Sequence, residues 1–285
     1  MQVFLDRENF GPGKIDAEGG EFTKKAILRY QQAHGLKADG NVKSLPIDQD
    51  LPGTIDYTVT AEDLEQIGPV PEKPEEQAKL KALPYGSVSE LLAEKFHASE
   101  KFLKELNPQL KGNDLKSGDV VKVPNVKPFD MAAVEAKRTK EEASAAKESA
   151  EGAWLDVDVA EEMLEVKEGE KILAAFPITP GSSSLPAPKG NWHIETINYM
   201  PVFRFDKEML YHGRRGENGV LTPPGPNNSV GVMWMSINKK GIGIHGTNEP
   251  ETIGRAASHG CIRLANWDAV RVAAMIKPGA RVVIR

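Results

Sequence analysis

Cys261 is the only cysteine in a chain of 285 residues, and it stands in the run Ser258-His259-Gly260-Cys261-Ile262-Arg263. A buried cysteine is by default a small hydrophobe. A nucleophilic one needs a cation or a hydrogen-bonding group beside it, because an ordinary thiol, with a pKa of about 8.5, is mostly protonated at neutral pH. Here His259 and Arg263 lie two residues to either side, and in extended chain residues i and i+2 share a face. Gly260 permits a tight turn that leaves the sulfur accessible and peptide N–H groups available to an oxyanion.

A second piece is Ile242-Gly243-Ile244-His245-Gly246-Thr247, which reads as a strand running into a loop. Fifteen residues separate His245 from Cys261, too many for one helix face but suited to neighbouring strands. A base brought to a thiol in this way is the Cys–His pair of nucleophilic catalysis. Two other chemistries fit less well. A zinc site built on His245, His259 and Cys261 has one thiol and no carboxylate at a matching spacing. A cysteine phosphatase needs its arginine several residues beyond the cysteine, and Cys261-Ile262-Arg263 is too short. Trp192 and Trp234 read as core, and His193 and His212 as surface or structural residues.

The elements that position these groups lie in the last part of the chain. Leu155 to Val159 alternates as a half-buried strand should, and Met163–Val166, Ile172–Phe176, Trp192–Ile194, Gly231–Ser236, Ile242–His245 and Arg281–Ile284 are further strands between Gly/Pro turns. One helix follows Asn266, read as its N-cap, and stops at Pro278-Gly279. The Gly/Pro-rich connection between Asn198 and Ser229 is long enough to be a lid or binding loop. Upstream, Phe22, Ala26, Ile27 and Tyr30 share a helical face that ends at His34-Gly35. Residues 55–126 run strand, helix, helix, strand. Residues 127–152 are rich in Ala, Lys and Glu, and read as a solvated helical linker that would hold the N-terminal modules some tens of ångströms from the C-terminal β-rich part.

Composition narrows the partners. Lys and Arg number 36 against 41 Asp and Glu, a formal charge of -5, so no global field draws in nucleic acid. No apolar run approaches the roughly 18–20 residues of a membrane span. Asp6, Arg7 and Glu8 interrupt any leader segment. This leaves a cytoplasmic protein or an exported one whose leader has been removed.

His245-Gly246-Thr247 followed by Ser258-His259-Gly260-Cys261-Ile262-Arg263-Leu264 resembles the L,D-transpeptidase family of the YkuD type. Pro188-Lys189-Gly190-Asn191-Trp192, Gly225-Pro226-Asn227-Asn228, Gly231, Asp268 and Gly279 extend the likeness, with Ala187 where the family usually has Thr. Tyr57-Thr58-Val59, Ser87 to Phe96, Leu106-Asn107-Pro108 and Leu115 to Pro124 are similar to a LysM carbohydrate-binding module, apart from a Pro/Glu-rich insertion after the first strand. Gly11 to Asp16, Phe22 to Gln31 and Asp39-Gly40 resemble a three-helix peptidoglycan-binding domain.

These resemblances imply a multidomain α+β chain: a small helical module over 1–48, a LysM-like βααβ module over 55–126, the linker over 127–152, and over 153–285 a mainly β, sandwich- or barrel-like YkuD-type catalytic domain with one C-terminal helix. They imply Cys261 as nucleophile and His245 as base, its ring oriented by the Gly246 carbonyl, with His259 in the catalytic set. Gly246, Thr247, Ser258, Gly260 and Arg263 would form the substrate and oxyanion side. No cofactor and no metal are implied. The implied reaction releases D-Ala from a peptidoglycan stem peptide through a thioester and passes the acyl group to an amine, with water as acceptor (an L,D-carboxypeptidase) or an idle wall-binding protein as rivals. Peptidoglycan strands and stem peptides are the expected partners, and the periplasm or cell envelope the expected location.

Overall fold

The computed structural model describes residues 1–108, 115–138, 142–143, 152–182, 185–212, 214–255 and 260–285. The first two helices, α1 (Gln2–Arg7) and α2 (Glu21–Ala33), bury Leu5, Phe10, Ala26, Ile27 and Tyr30. α2 ends as its sequence indicates: the His34 Nδ1 lies 2.8 Å from the Tyr30 carbonyl, and Gly35 comes next with φ +65°.

The second unit pairs β1 (Thr54–Thr58) antiparallel with β2 (Val120–Pro124). Between them lie α3 (Ala61–Glu65), α4 (Pro74–Gln77), α5 (Val88–Lys95) and α6 (Glu100–Leu106). The Pro/Glu-rich insertion supplies α3 and α4, so the expected strand–helix–helix–strand order holds with two short helices added. Side-chain caps start three of these helices. Thr60 and Asp63 form a reciprocal capping box on α3, while Ser87 and Ser99 accept N–H bonds from Glu90 and Phe102. Asn107 then clamps β2, accepting from the Lys122 N–H at 2.6 Å and donating to its carbonyl at 2.7 Å.

Residues 127–138 do not behave as a solvated spacer. Only the short α7 (Met131–Glu135) is helical there, and Phe129 and Val134 are buried with Met200, Val232 and Trp267. Two apolar side chains in a charged stretch are enough to dock it. β3 (Glu142–Ala143) pairs with a strand of the C-terminal domain.

That domain is one strongly curled sheet. Its strands are β4 (Ala153–Asp158), β5 (Met163–Glu168), β6 (Lys171–Pro177), β7 (Gly190–Tyr199), β10 (Met233–Ile237), β11 (Gly243–His245), β12 (Ile262–Arg263) and β13 (Arg281–Ile284), in the order β12-β11-β10-β7-β13-β4-β5-β6. β13 runs parallel to β4, and β11 parallel to β12; the other neighbours are antiparallel. The long β7 turns the sheet, pairing with β13 through its first half and β10 through its second. Leu155, Val166, Ile194, Met235, Ile244, Ile262 and Val282 face a core closed by α9 (Asn266–Met275). The connection after β7 is built rather than open: β8 (Phe203–Phe205) and β9 (Val220–Thr222) form a hairpin around α8 (Lys207–His212).

The units are packed together, not held apart by a tether. Phe10 and Ala175 form a bridge, with the Gly11 N–H donating to the Ala175 carbonyl at 2.7 Å. Arg29 reaches Glu165 at 2.9 Å with both side chains buried. The second unit meets the C-terminal domain along the loop between β9 and β10: the Leu83 N–H donates to the Pro224 carbonyl, and Asn227 donates to the Pro84 carbonyl and to Glu90. Gly225 is required there, since a Cβ on it would lie 2.1 Å from the Leu83 carbonyl oxygen.

Candidate active site

Strand register brings the two candidate residues to one face. His245 pairs with Trp234 on β10 and with Arg263 on β12, while Ile244 pairs with Ile262. Extending the parallel ladder back by one residue sets Cys261 opposite Gly243. Cross-strand partners, and residues two apart, share a face of a pleated sheet. Trp234, His245, Cys261 and Arg263 therefore stand together, and all four line a cavity of about 430 Å³. Their neighbours Met235, Ile244 and Ile262 fill the core side.

His245 is almost wholly buried, and its Nδ1 is 2.6 Å from the Gly246 carbonyl oxygen. A carbonyl only accepts, so Nδ1 carries the proton and Nε2 the lone pair. Burial lowers the imidazole to about 4, with the Gly246 bond opposing and nearby Arg263 adding to the effect. The ring is therefore neutral at pH 7. The Trp234 indole stacks on it, with centroids 5.4 Å apart and planes at 19°. Gly243 makes room, for a Cβ there would meet the indole at 2.6 Å.

Cys261 opens partly to the cavity, and its Sγ is 3.9 Å from the Gly241 carbonyl oxygen. Burial pushes the thiol up, while a backbone bond at Gly243 and the charge of Arg263 pull it down. Gly260 before it has φ +92°, a left-handed conformation in which any side chain would be strained, and this turns Cys261 into the cavity. A thiol that stays protonated beside a neutral imidazole suits general-base activation during attack rather than a resting ion pair.

Arg263 extends from β12 toward Thr252, with Nη1 3.5 Å from its hydroxyl. Among the described residues no carboxylate lies within ion-pair distance of it, and its Nε is buried without a hydrogen bond. Gly246 and Thr247 lie behind the cavity wall rather than in it. The Gly246 carbonyl faces the His245 ring, and Thr247 is buried with its Oγ1 accepting from the Glu249 N–H. Ser258 and His259 fall outside the described residues.

The hairpin β8–β9 and α8 roof the cavity through Phe203, Arg204 and Met209. Arg204 pairs with Asp206 and donates to the Gly216 carbonyl at 2.8 Å, which ties the roof to itself. A second cavity of about 620 Å³ adjoins the first along Phe203, Met209, Trp234 and Gly241.

Two residues outside the sequence expectations shape this site. Trp234 is a wall of the cavity, not core, because its register opposite His245 on β11 turns it to the cavity face. Asn266 is the first residue of α9 rather than its N-cap, and its side chain does not cap that helix. Its Oδ1 accepts from the Val232 and Thr247 N–H groups, at 3.1 Å each. That oxygen fills space which a Cβ on Gly246 or Gly231 would occupy, at 2.1 and 1.9 Å.

Residues 152–284 match the model of the YkuD family, described as an L,D-transpeptidase catalytic domain. This chain carries an L,D-transpeptidase catalytic domain. Residues 1–43 match a putative peptidoglycan binding domain. Among relatives, a putative L,D-transpeptidase YkuD of Bacillus licheniformis is 25% identical over 70% of this chain and 94% of its own length. Its namesake of Bacillus subtilis is 32% identical over 46% of this chain and 64% of its own length. Of solved structures, L,D-transpeptidase 3 from Mycobacterium tuberculosis in complex with a faropenem-derived adduct is 14% identical, with a TM-score of 0.39, over 60% of this chain and 76% of that one.

Proposed function

We propose that this L,D-transpeptidase domain uses Cys261 as nucleophile and His245 as general base on a peptidoglycan stem peptide. The observation that carries the reading is the shared face: Cys261 and His245 on adjacent strands, lining one cavity, with His245 Nε2 holding the lone pair. His245 takes the thiol proton as Sγ attacks the carbonyl between the L-centre of a diamino acid and D-Ala. The tetrahedral oxyanion is met by N–H groups around Gly260 and Cys261. The protonated imidazole then gives its proton to the departing D-Ala amine, leaving a thioester on Cys261. An amine acceptor attacks that thioester, loses a proton to His245 and restores the thiol. Arg263, whose Nε is buried without a hydrogen bond and which has no carboxylate within ion-pair distance among the described residues, is suited to hold a substrate carboxylate. His259 and Ser258 belong to the same reading as pocket residues.

The N-terminal module, residues 1–48, would hold glycan, joined by a LysM-like module over 55–126. Such a substrate puts the protein in the periplasm or elsewhere in the cell envelope. Mass spectrometry of disaccharide-tetrapeptide muropeptides after incubation tests the reaction. Cross-linked dimers with free D-Ala support it, tripeptides alone mean that water is the acceptor, and unchanged muropeptides sink it. Cys261→Ala abolishes turnover in this reading, and His245→Gln lowers the rate by about 10²–10⁴-fold.

A further inference from the structure

The second unit does more than dock beside the catalytic domain; one of its side chains reaches the back of the catalytic turn. Glu94, on the last turn of α5, is 6% exposed, an unusual place for a carboxyl. Its Oε1 meets the Tyr85 hydroxyl at 2.8 Å, within its own unit. Its Oε2 accepts from Asn266 Nδ2 at 3.0 Å, across the joint. The other acceptor near that amide, the Pro226 carbonyl, is 3.5 Å away.

Asn266 is a hub with one orientation. Its Oδ1 must face the Val232 and Thr247 N–H groups, since these only donate, so its NH₂ must face an acceptor on the opposite side. Glu94 is that acceptor. Thr247 comes directly after Gly246, and the Gly246 carbonyl in turn holds the His245 Nδ1–H. A chain of hydrogen bonds and backbone thus runs from Glu94 through Asn266 to the turn that fixes the His245 tautomer and ring plane. The close fit of Gly246 and Gly231 against Asn266 leaves no slack in it.

We propose that Glu94 is a positioning residue for His245, so that the accessory βααβ unit completes the catalytic domain rather than only delivering it to the wall. The proposal rests on His245 as base, and its tests separate the two. Burial keeps the Glu94 carboxyl largely protonated at neutral pH, raised to about 8 against the bonds from Tyr85 and Asn266. A neutral amide can therefore do its work. Glu94→Gln keeps an acceptor for Asn266 and an amide for Tyr85. Glu94→Leu keeps the volume and removes both.

The experiment compares the full chain and its variants on disaccharide-tetrapeptide, with thermal unfolding as a measure of fold. Glu94→Leu is expected to lower kcat by about tenfold to a hundredfold, the scale of a misplaced catalytic group, with KM nearly unchanged. Glu94→Gln recovers most of that loss. Tyr85→Phe, which breaks the bond on the other side of the carboxyl, loses stability but keeps kcat. In ¹⁵N-histidine NMR, the His245 Nδ1–H signal of the wild type is lost or moved toward solvent exchange in Glu94→Leu and retained in Glu94→Gln. If Glu94→Leu does not fold, Glu94→Asp, which withdraws the acceptor by one methylene, takes its place with a fall in kcat of the same direction. Unchanged kcat and an unchanged Nδ1–H signal in the folded Leu or Asp variant overturn the proposal. So does a Tyr85→Phe loss of kcat equal to that of Glu94→Leu, since stability alone would then explain both. Wild-type inactivity with the NMR result as expected would sink the reaction and leave the positioning intact.

Discussion

Two carboxyls are buried where the accessory units meet the catalytic domain, and they end in opposite states. Asp6, on α1, is fully enclosed; burial would raise it, but His97 and Arg271 outweigh that and hold it well below the usual carboxylate range. Arg271 reaches it with two bonds, at 2.9 and 3.1 Å, and His97 Nδ1 lies 3.0 Å away. Glu94 is as deeply enclosed but meets only a phenol and an amide, and burial takes it to about 8. The burial cost is similar in kind; what differs is whether a cation can reach the group. One joint is therefore an Asp6–Arg271 ion pair between α1 and α9, with the buried His97, which burial lowers, hydrogen-bonded to the same carboxylate. The other is a neutral relay running toward the turn that follows His245.

The comparison is broken most directly at the ion pair. Asp6→Ala strands the Arg271 guanidinium, which then has Asp268 at 3.5 Å as its remaining acidic neighbour. Breaking a buried pair typically costs about 3–5 kcal/mol, and ionisation of Asp268 in response should keep the loss near the lower figure. Urea unfolding should show about 3 kcal/mol for Asp6→Ala and under about 1 kcal/mol for Glu94→Gln, which replaces a neutral group by a neutral one. Equal losses would mean that the two joints do not differ in charge.

A second and smaller effect lies in pH. Asp6 has a depressed folded pKa, so its contribution is present above the ordinary carboxylate range and fades only in strong acid. Glu94 and Asp268 are both raised to about 8, mainly by burial. A raised folded pKa gives stability that is full below the unfolded value and is lost as pH climbs through the folded one. His245, lowered to about 4, works the other way but has finished by the unfolded histidine value of about 6.5. Between about pH 6.5 and 8 the wild type should therefore lose stability, by up to about 2 kcal/mol per raised carboxyl. Glu94→Gln should remove roughly half of that slope. A flat profile in the wild type would show that Glu94 and Asp268 are both already ionised. A wild-type slope that Glu94→Gln leaves unchanged would show this of Glu94 alone.

These joints also mark the limit of what sequence could convey. Periodicity and turn residues placed α2, the βααβ order and most strands of the curled sheet, because those signals are local. The Cys261 and His245 motifs pointed to neighbouring strands, and the register sets them on one face of one cavity. Asn266 looked like a helix cap because asparagine before a helix usually is one. Its amide instead serves two loops and a glutamate 172 positions away, and nothing local encodes that. The stretch after residue 126 looked like a tether for the same reason: Phe129 and Val134 are apolar, but the hollow they fill belongs to residues 65 or more positions on.

The smallest expected effect tests whether charge at a joint matters by itself. Arg29 and Glu165 form a third buried contact, between α2 and β5, with each side chain 9% exposed. Unlike Asp6, Glu165 has a second cation, Lys167, at 3.2 Å, and Lys167 is also held by Asp156 at 2.9 Å. Replacing a buried pair by apolar side chains of similar volume is often neutral or mildly stabilising, because the desolvation cost disappears with the attraction. The double variant Arg29→Met, Glu165→Met should stay within about 1 kcal/mol of wild type, with Lys167 falling back on Asp156. Arg29→Met alone should cost less than Asp6→Ala, since Lys167 remains to pair the stranded Glu165. A double variant as damaging as Asp6→Ala would show that the first module is held by charge along its whole contact. The ion pair at Asp6 would then be an ordinary member of that surface rather than its centre.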